Sequence, residues 1–196
     1  MSGGSRRIRT GAIAGAMALL TAGMAVAVAL PGGAAARGLT SVFTIYEPDP
    51  VVIPNGAGAA RIAFEDPNGG QADTVTVGLR VRHERTQQLN LSVRDPDGER
   101  VSLSEGDTRG ENLGISPCPD PEPSPPVENF TSFRDTGASP IASASAPYVG
   151  YFLPREPLSA LAGDYPPGSF TLIVKDTRGG VSGKLLCAYL RITDAP

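Results

Sequence analysis

Thr74-Val75-Thr76-Val77-Gly78-Leu79-Arg80-Val81-Arg82-His83-Glu84 is the stretch that decides the fold. Val75, Val77, Leu79, Val81 and His83 share one parity; Thr74, Thr76, Arg80, Arg82 and Glu84 share the other. Successive side chains of a strand point to opposite faces, so this alternation specifies a strand with one buried face. Downstream, Leu89, Leu91 and Val93 alternate with Asn90, Ser92 and Arg94, which are expected to point outward. Asp95-Pro96-Asp97-Gly98 supplies a turn, and Val101-Ser102-Leu103 resumes the strand. Residues 169–174 and 185–192 are strand-like, with a loop at 176–180 between them. Residues 41–46 and 60–64 are earlier strand candidates, and only 158–161 suggests a helical turn. Short strands with turns between them specify an all-β domain, a jelly-roll-like antiparallel β-sandwich.

Composition agrees. The 196 residues include 24 glycines and 19 prolines, too many breakers for long helices. With 17 Lys+Arg against 20 Asp+Glu the formal net charge is −3, so the chain lacks the basic footprint of a nucleic-acid binder. One histidine and two cysteines fall short of a four-ligand zinc site. The length suits one domain.

Met1 to Ala36 reads as an N-terminal signal peptide. Arg6, Arg7 and Arg9 form a positive start, Gly11 to Leu30 carries no charge, and Ala34-Ala35-Ala36 offers small residues for cleavage before Arg37. The expected product is a secreted protein with no membrane span. The alternative is a retained anchor, because such an uncharged run is just long enough to cross a bilayer. Cleavage removes three arginines and no acid, which moves the formal charge from −3 to −6. Residues 37–59 then form an N-terminal segment with a first strand, and residues 60–193 form the body of the sandwich.

Export makes the two cysteines interpretable. Cys118 and Cys187 are the sole pair, and an oxidising compartment favours a structural disulfide over a reactive thiol. Six of the eleven residues from Ser116 to Pro126 are proline. A run with so few amide donors prefers polyproline II and is expected as a surface loop, tied down at Cys118. The alternative is a docking segment for an aromatic groove.

An ordered series of motifs runs along these residues. It begins with His83-Glu84-Arg85-Thr86-Gln87-Gln88-Leu89 and Asp95-Pro96-Asp97-Gly98. Phe133-Arg134-Asp135, Gly150-Tyr151-Phe152-Leu153-Pro154 and Leu158-Ser159-Ala160-Leu161-Ala162-Gly163 follow. Gly168-Ser169-Phe170-Thr171-Leu172, Val174-Lys175-Asp176, Gly183-Lys184-Leu185 and Leu190-Arg191-Ile192 complete it. In this order and spacing the chain resembles the P domain, or P/Homo B domain, of kexin- and furin-like proprotein convertases. Similar domains follow many bacterial subtilisin-like proteases. The resemblance covers about residues 60–193 and marks His83, Leu89, Gly98, Phe133, Gly150, Pro154, Leu158, Gly163, Gly168, Phe170 and Gly183 as framework positions. It implies a jelly-roll sandwich of the galactose-binding-like type. It also implies a non-catalytic role: packing on a protease domain and supporting its folding. The chain departs from the family at four places. Gln88 stands where Asp is usual, Arg134 replaces one of two aspartates, Phe170 replaces a Trp, and Ala188 falls near another. Calcium sites like those of some members would rest here on Asp135 and Asp176.

No catalytic residue is assigned. His83 is the one histidine, and its parity with Val77, Leu79 and Val81 is that of a hydrogen-bonded core residue rather than a general base. No Gly-x-Ser-x-Gly elbow is present. Asp95-x-Asp97-Gly98-Glu99 looks like a fragment of a calcium loop without the distal ligands, and a solvated turn is the expected reading. Three functions are open at this point. The leading one is a secreted accessory module that binds another exported protein, a subtilisin-like protease foremost. The second is a cell-envelope structural or surface-polymer-binding protein. The third is a stand-alone hydrolase using two carboxylates, which sequence cannot locate because such pairs are defined by distance.

Overall fold

The computed structural model describes residues 42–56, 58–119 and 129–194; the expected signal peptide and the middle of the proline-rich segment lie outside the described residues. The described strands, in chain order, are β1 (Val42–Glu47), β2 (Val51–Ile53), β3 (Ala59–Asp66), β4 (Gly70–Arg82), β5 (Leu89–Arg94) and β6 (Arg100–Glu105). There follow β7 (Thr131–Phe133), β8 (Ser139–Pro140), β9 (Gly150–Leu153), β10 (Gly163–Tyr165), β11 (Gly168–Asp176) and β12 (Gly183–Asp194). They form two sheets. The larger runs β1-β12-β4-β7-β9-β8, with β10 beside β4 and β2 beside β12; the smaller runs β3-β11-β5-β6. Among the described residues no helix is long and apolar enough to cross a membrane.

The two sheets form a β-sandwich, as the alternation requires. Val75, Val77, Leu79 and Val81 of β4 are buried, and so are Leu91 and Val93 of β5, Ile62 and Phe64 of β3, and Phe170, Leu172 and Val174 of β11. One continuous core joins them. Three short 3-10 turns are present among the described residues: Thr86–Gln88 and Ile141–Ser143, which the sequence did not announce, and the expected Leu158–Leu161, which lies against β4 and β6 and buries Leu158 and Leu161.

The structure corrects three expectations. Pairing is not antiparallel throughout: β7 and β8 both run parallel to β9. Parallel neighbours need a crossover rather than a tight turn, and residues 134–149 supply it. Ser92 does not point to solvent; it is buried on β5, where its hydroxyl accepts from Arg100 Nε at 3.0 Å. Arg80 is also buried, although its parity puts it on the outer face of β4.

The reason for the last is a second apolar layer on the outside of the larger sheet. Phe130, Cys187 and Tyr189 form a small buried cluster there, flanked by Tyr46 and Cys118. Cys118 and Cys187 are disulfide-bonded, with Cα atoms 6.2 Å apart. The Arg80 guanidinium lies 4.1 Å from the Phe130 ring centroid and donates to the Pro117 carbonyl. The Tyr46 hydroxyl donates to the Pro119 carbonyl at 3.0 Å. The described start of the proline-rich segment is therefore held by a covalent bond and two hydrogen bonds. Backbone carbonyls do the accepting, as suits a segment poor in amide donors.

Candidate functional site

A cleft of about 320 Å³ opens on the outer face of the larger sheet, beside this second layer. Register builds its floor. Tyr189 on β12 pairs with Gly78 on β4, Gly78 with Ser132 on β7, and Ser132 with Tyr151 on β9, so the four share one row across the sheet. In the next row Arg191 pairs with Thr76, and Arg134 extends the β7 register past Phe133 to the place opposite Thr76. Thr193 and Thr74 form a third row.

The first row depends on glycine. A Cβ at Gly78 would lie 2.0 Å from Tyr189 Cε1, so the tyrosine ring lies flat over β4. Its hydroxyl hydrogen-bonds with the Ser132 hydroxyl at 2.8 Å, and its ring meets Phe130 edge to face at 5.1 Å. Burial pushes the Tyr189 phenol above the ordinary tyrosine range; the Ser132 bond and the arginines 191 and 134 oppose that shift. The Arg134 guanidinium stacks 3.7 Å from the Tyr151 ring centroid, and its Nε is buried with no hydrogen-bond partner among the described residues. Neither Arg134 nor Arg191 forms an ion pair with a described carboxylate.

The residues singled out from the sequence are dispersed instead. Asp135 adjoins the cleft, but both its oxygens are engaged. Oδ1 accepts from Leu158 N at 2.7 Å and Oδ2 from Ser159 N at 2.8 Å, so it caps the 3-10 turn. Asp176 ends β11 in the other sheet and is fully buried. Its Oδ1 accepts from Arg178 N at 2.9 Å, and its Oδ2 faces His83 Nε2 at 3.5 Å. His83 Nδ1 accepts from Arg85 N at 3.1 Å. Both ring nitrogens therefore have internal neighbours. Among the described residues no three His, Cys, Asp or Glu side chains converge as a metal-binding group.

The other framework positions have local explanations. Gly183 lies against the imidazole, since a Cβ there would come within 2.5 Å of His83 Cδ2. Gly168 packs on Pro96, with 2.9 Å for an added Cβ. Gly98, Gly150 and Gly163 have φ of +98°, +120° and +114°. Leu89, Phe133, Leu158 and Phe170 are core residues, and Pro154 follows β9. Gln88 is buried, and its carbonyl accepts from both the amide and the hydroxyl of Thr177. The Asp95 turn is closed by its own bonds: Asp95 Oδ1 accepts from Glu99 N at 2.8 Å.

No family model matches the chain, and no curated protein matches it. Solved structures do. The serine protease of Aeromonas sobria is 12% identical, with a TM-score of 0.44, over 79% of this chain and 27% of that one. The same protease in complex with its chaperone is 13% identical, with a TM-score of 0.45, over 80% of this chain and 27% of that one. A structure of infectious bursal disease virus, Gx strain, is 12% identical, with a TM-score of 0.31, over 81% and 37%. This chain thus spans about a quarter of the length of the protease structures.

Sequence reading did not assemble the cleft. Arg134, Tyr151 and Arg191 lie within the motif series but carried no assigned binding role, and Tyr189 and Gly78 lie outside it. The signal that joins the rows is parity: Arg191 and Thr193 alternate with buried Leu190 and Ile192, and Thr74 and Thr76 with buried Val75 and Val77.

Proposed function

We propose that this chain is an exported, non-catalytic binding module of the P/Homo B type. Its partner in this reading is another exported protein, a subtilisin-like serine protease, which it stabilises by packing on it. The observation that carries the reading is the use made of the shared motif. Its apolar and glycine members shape the sandwich, and its polar members His83, Asp135 and Asp176 bond within it. A motif spent on framework leaves the chemistry to a partner. This reading assigns calcium no role: Asp135 accepts from two backbone amides, and Asp176 accepts from one and faces His83.

The test mixes the exported chain with a subtilisin-like protease of the same organism. A complex by size exclusion and a longer protease half-life on heating are expected, with a melting midpoint of the chain unchanged by EDTA. Peptide or ester hydrolysis by the chain alone, abolished in His83→Ala, would overturn the non-catalytic reading. Absence of both complex and protection would overturn the partner.

A further inference from the structure

The cleft brings two arginines together on the outer face of the larger sheet. The chain is acidic, with a formal charge of −3 including the leader. Yet two arginines face one depression without carboxylate partners among the described residues. Their backbones are two strand spacings apart, about 10 Å, with Thr76 between them. Arg134 is held by its stack on Tyr151, so its planar fork is set before any ligand arrives. Of the acidic residues that line the cleft, Asp135 has both oxygens occupied by amides, which leaves Asp73 of β4.

Two features define the ligand class. A guanidinium pair matches a carboxylate, which it binds through paired N–H donors. Thr74, Thr76 and Thr193 add hydroxyls that both donate and accept, the complement of a polyol. An acidic peptide is the competing carboxylate source, and sheet geometry disfavours it. An extended peptide captured through its main chain adds a strand at a sheet edge. Here β12, β4, β7 and β9 are all internal, so recognition falls to side chains alone. The volume, about 320 Å³, lies at the small end of ligand sites.

We infer that this cleft binds an acidic saccharide, its carboxylate held by Arg134 and Arg191 and its hydroxyls set over Thr74, Thr76 and Thr193. Bound in this way, the module would be tethered to a uronic-acid polymer.

The test is calorimetric titration of the exported chain at low salt with digalacturonic acid and, separately, with a hyaluronan tetrasaccharide. Saturable binding of at least one is expected. The methyl ester of the same saccharide should bind at least tenfold more weakly, and added salt should weaken the acid form. Arg191→Gln should lower affinity at least tenfold with an unchanged melting midpoint, and Thr76→Val severalfold. Failure of both uronides to bind overturns the proposal. So does equal binding of acid and ester, or affinity indifferent to both substitutions. Triglutamate binding more tightly than either uronide would reassign the cleft to acidic peptides.

Discussion

Gly78→Ala tests the packing that shapes the cleft. The added Cβ would lie 2.0, 2.5 and 2.6 Å from Tyr189 Cε1, Cζ and Cδ1, where carbon atoms prefer about 3.5–4.0 Å. The ring must therefore shift by roughly 1.5 Å. Three constraints resist: the hydroxyl is bonded to Ser132 at 2.8 Å, Phe130 packs edge to face at 5.1 Å, and the residue is only 3% exposed. Overpacking of this kind costs about 1–3 kcal/mol. Loss of the Ser132 bond adds about 1 kcal/mol. Against this, Ala recovers at most about 1 kcal/mol of the backbone entropy that Gly loses in a strand. The net expectation is a destabilisation of about 1–4 kcal/mol, or a fall in Tm of roughly 2–16 °C for a domain of this size.

The assay is urea unfolding followed by tyrosine fluorescence, which is usable because the chain has five tyrosines and no tryptophan. It should be run as a cycle with Tyr189→Ser, which removes the ring that the new methyl meets. In that background Gly78→Ala should be neutral or mildly stabilising, giving a coupling of about 2 kcal/mol between the two sites. An equal cost of Gly78→Ala in both backgrounds would refute the reasoning, as would a gain in stability on its own. Either result would mean that the ring does not lie over β4.

Three further outcomes are expected. Replacing both cysteines by alanine opens a loop of sequence separation 69, worth about 4 kcal/mol in the chain-entropy model, so Tm should fall by roughly 8–16 °C in differential scanning calorimetry. Asp135→Ala leaves the Leu158 and Ser159 amides without their carboxylate and should cost about 1–2 kcal/mol by urea unfolding, whereas Asp135→Asn, which keeps one acceptor, should cost less. Tyr165 and Tyr189 are both raised above the ordinary tyrosine value, chiefly by burial, so the folded state keeps protons that the unfolded chain gives up. Their contribution is complete below about pH 10 and is lost as pH rises beyond it; a Tyr165→Phe/Tyr189→Phe variant should flatten that alkaline decline in a pH series of melts.

The sandwich was legible because parity is a local property. Val75 to Val81 announce a buried face whatever lies opposite, and β3 and β11 follow the same rule. Ser92 and Arg80 broke it, and each for a reason that lies outside its own strand. Ser92 has Arg100 of β6 as a neighbour across the ladder. Arg80 is covered by Phe130 and Pro117, which are distant in sequence. The last strand concealed most. Leu185-Leu186-Cys187-Ala188-Tyr189-Leu190 is nearly all apolar, so it carries no alternation to read. A bulge between Leu185 and Cys187 then switches the phase. Leu185 faces the core on one side of the bulge, and Ala188, Leu190 and Ile192 on the other, which leaves Cys187 and Tyr189 on the outer face.

That bulge links the legible and the illegible halves of the molecule. Without the extra residue, one parity would run through β12, and a strand starting with Leu185 inward would carry Cys187, Tyr189 and Arg191 into the core. The bulge instead sends all three to the outer face. There Cys187 meets Cys118, Tyr189 covers Gly78, and Arg191 joins Arg134 across Thr76. A single backbone irregularity thus supplies the anchor of the proline-rich segment, one wall of the cleft and one of its two cations. Buried residues such as Leu89, Phe133 and Phe170 hold the two sheets together from within, whereas the cleft is made by what the sheet presents outward once its phase has been reset.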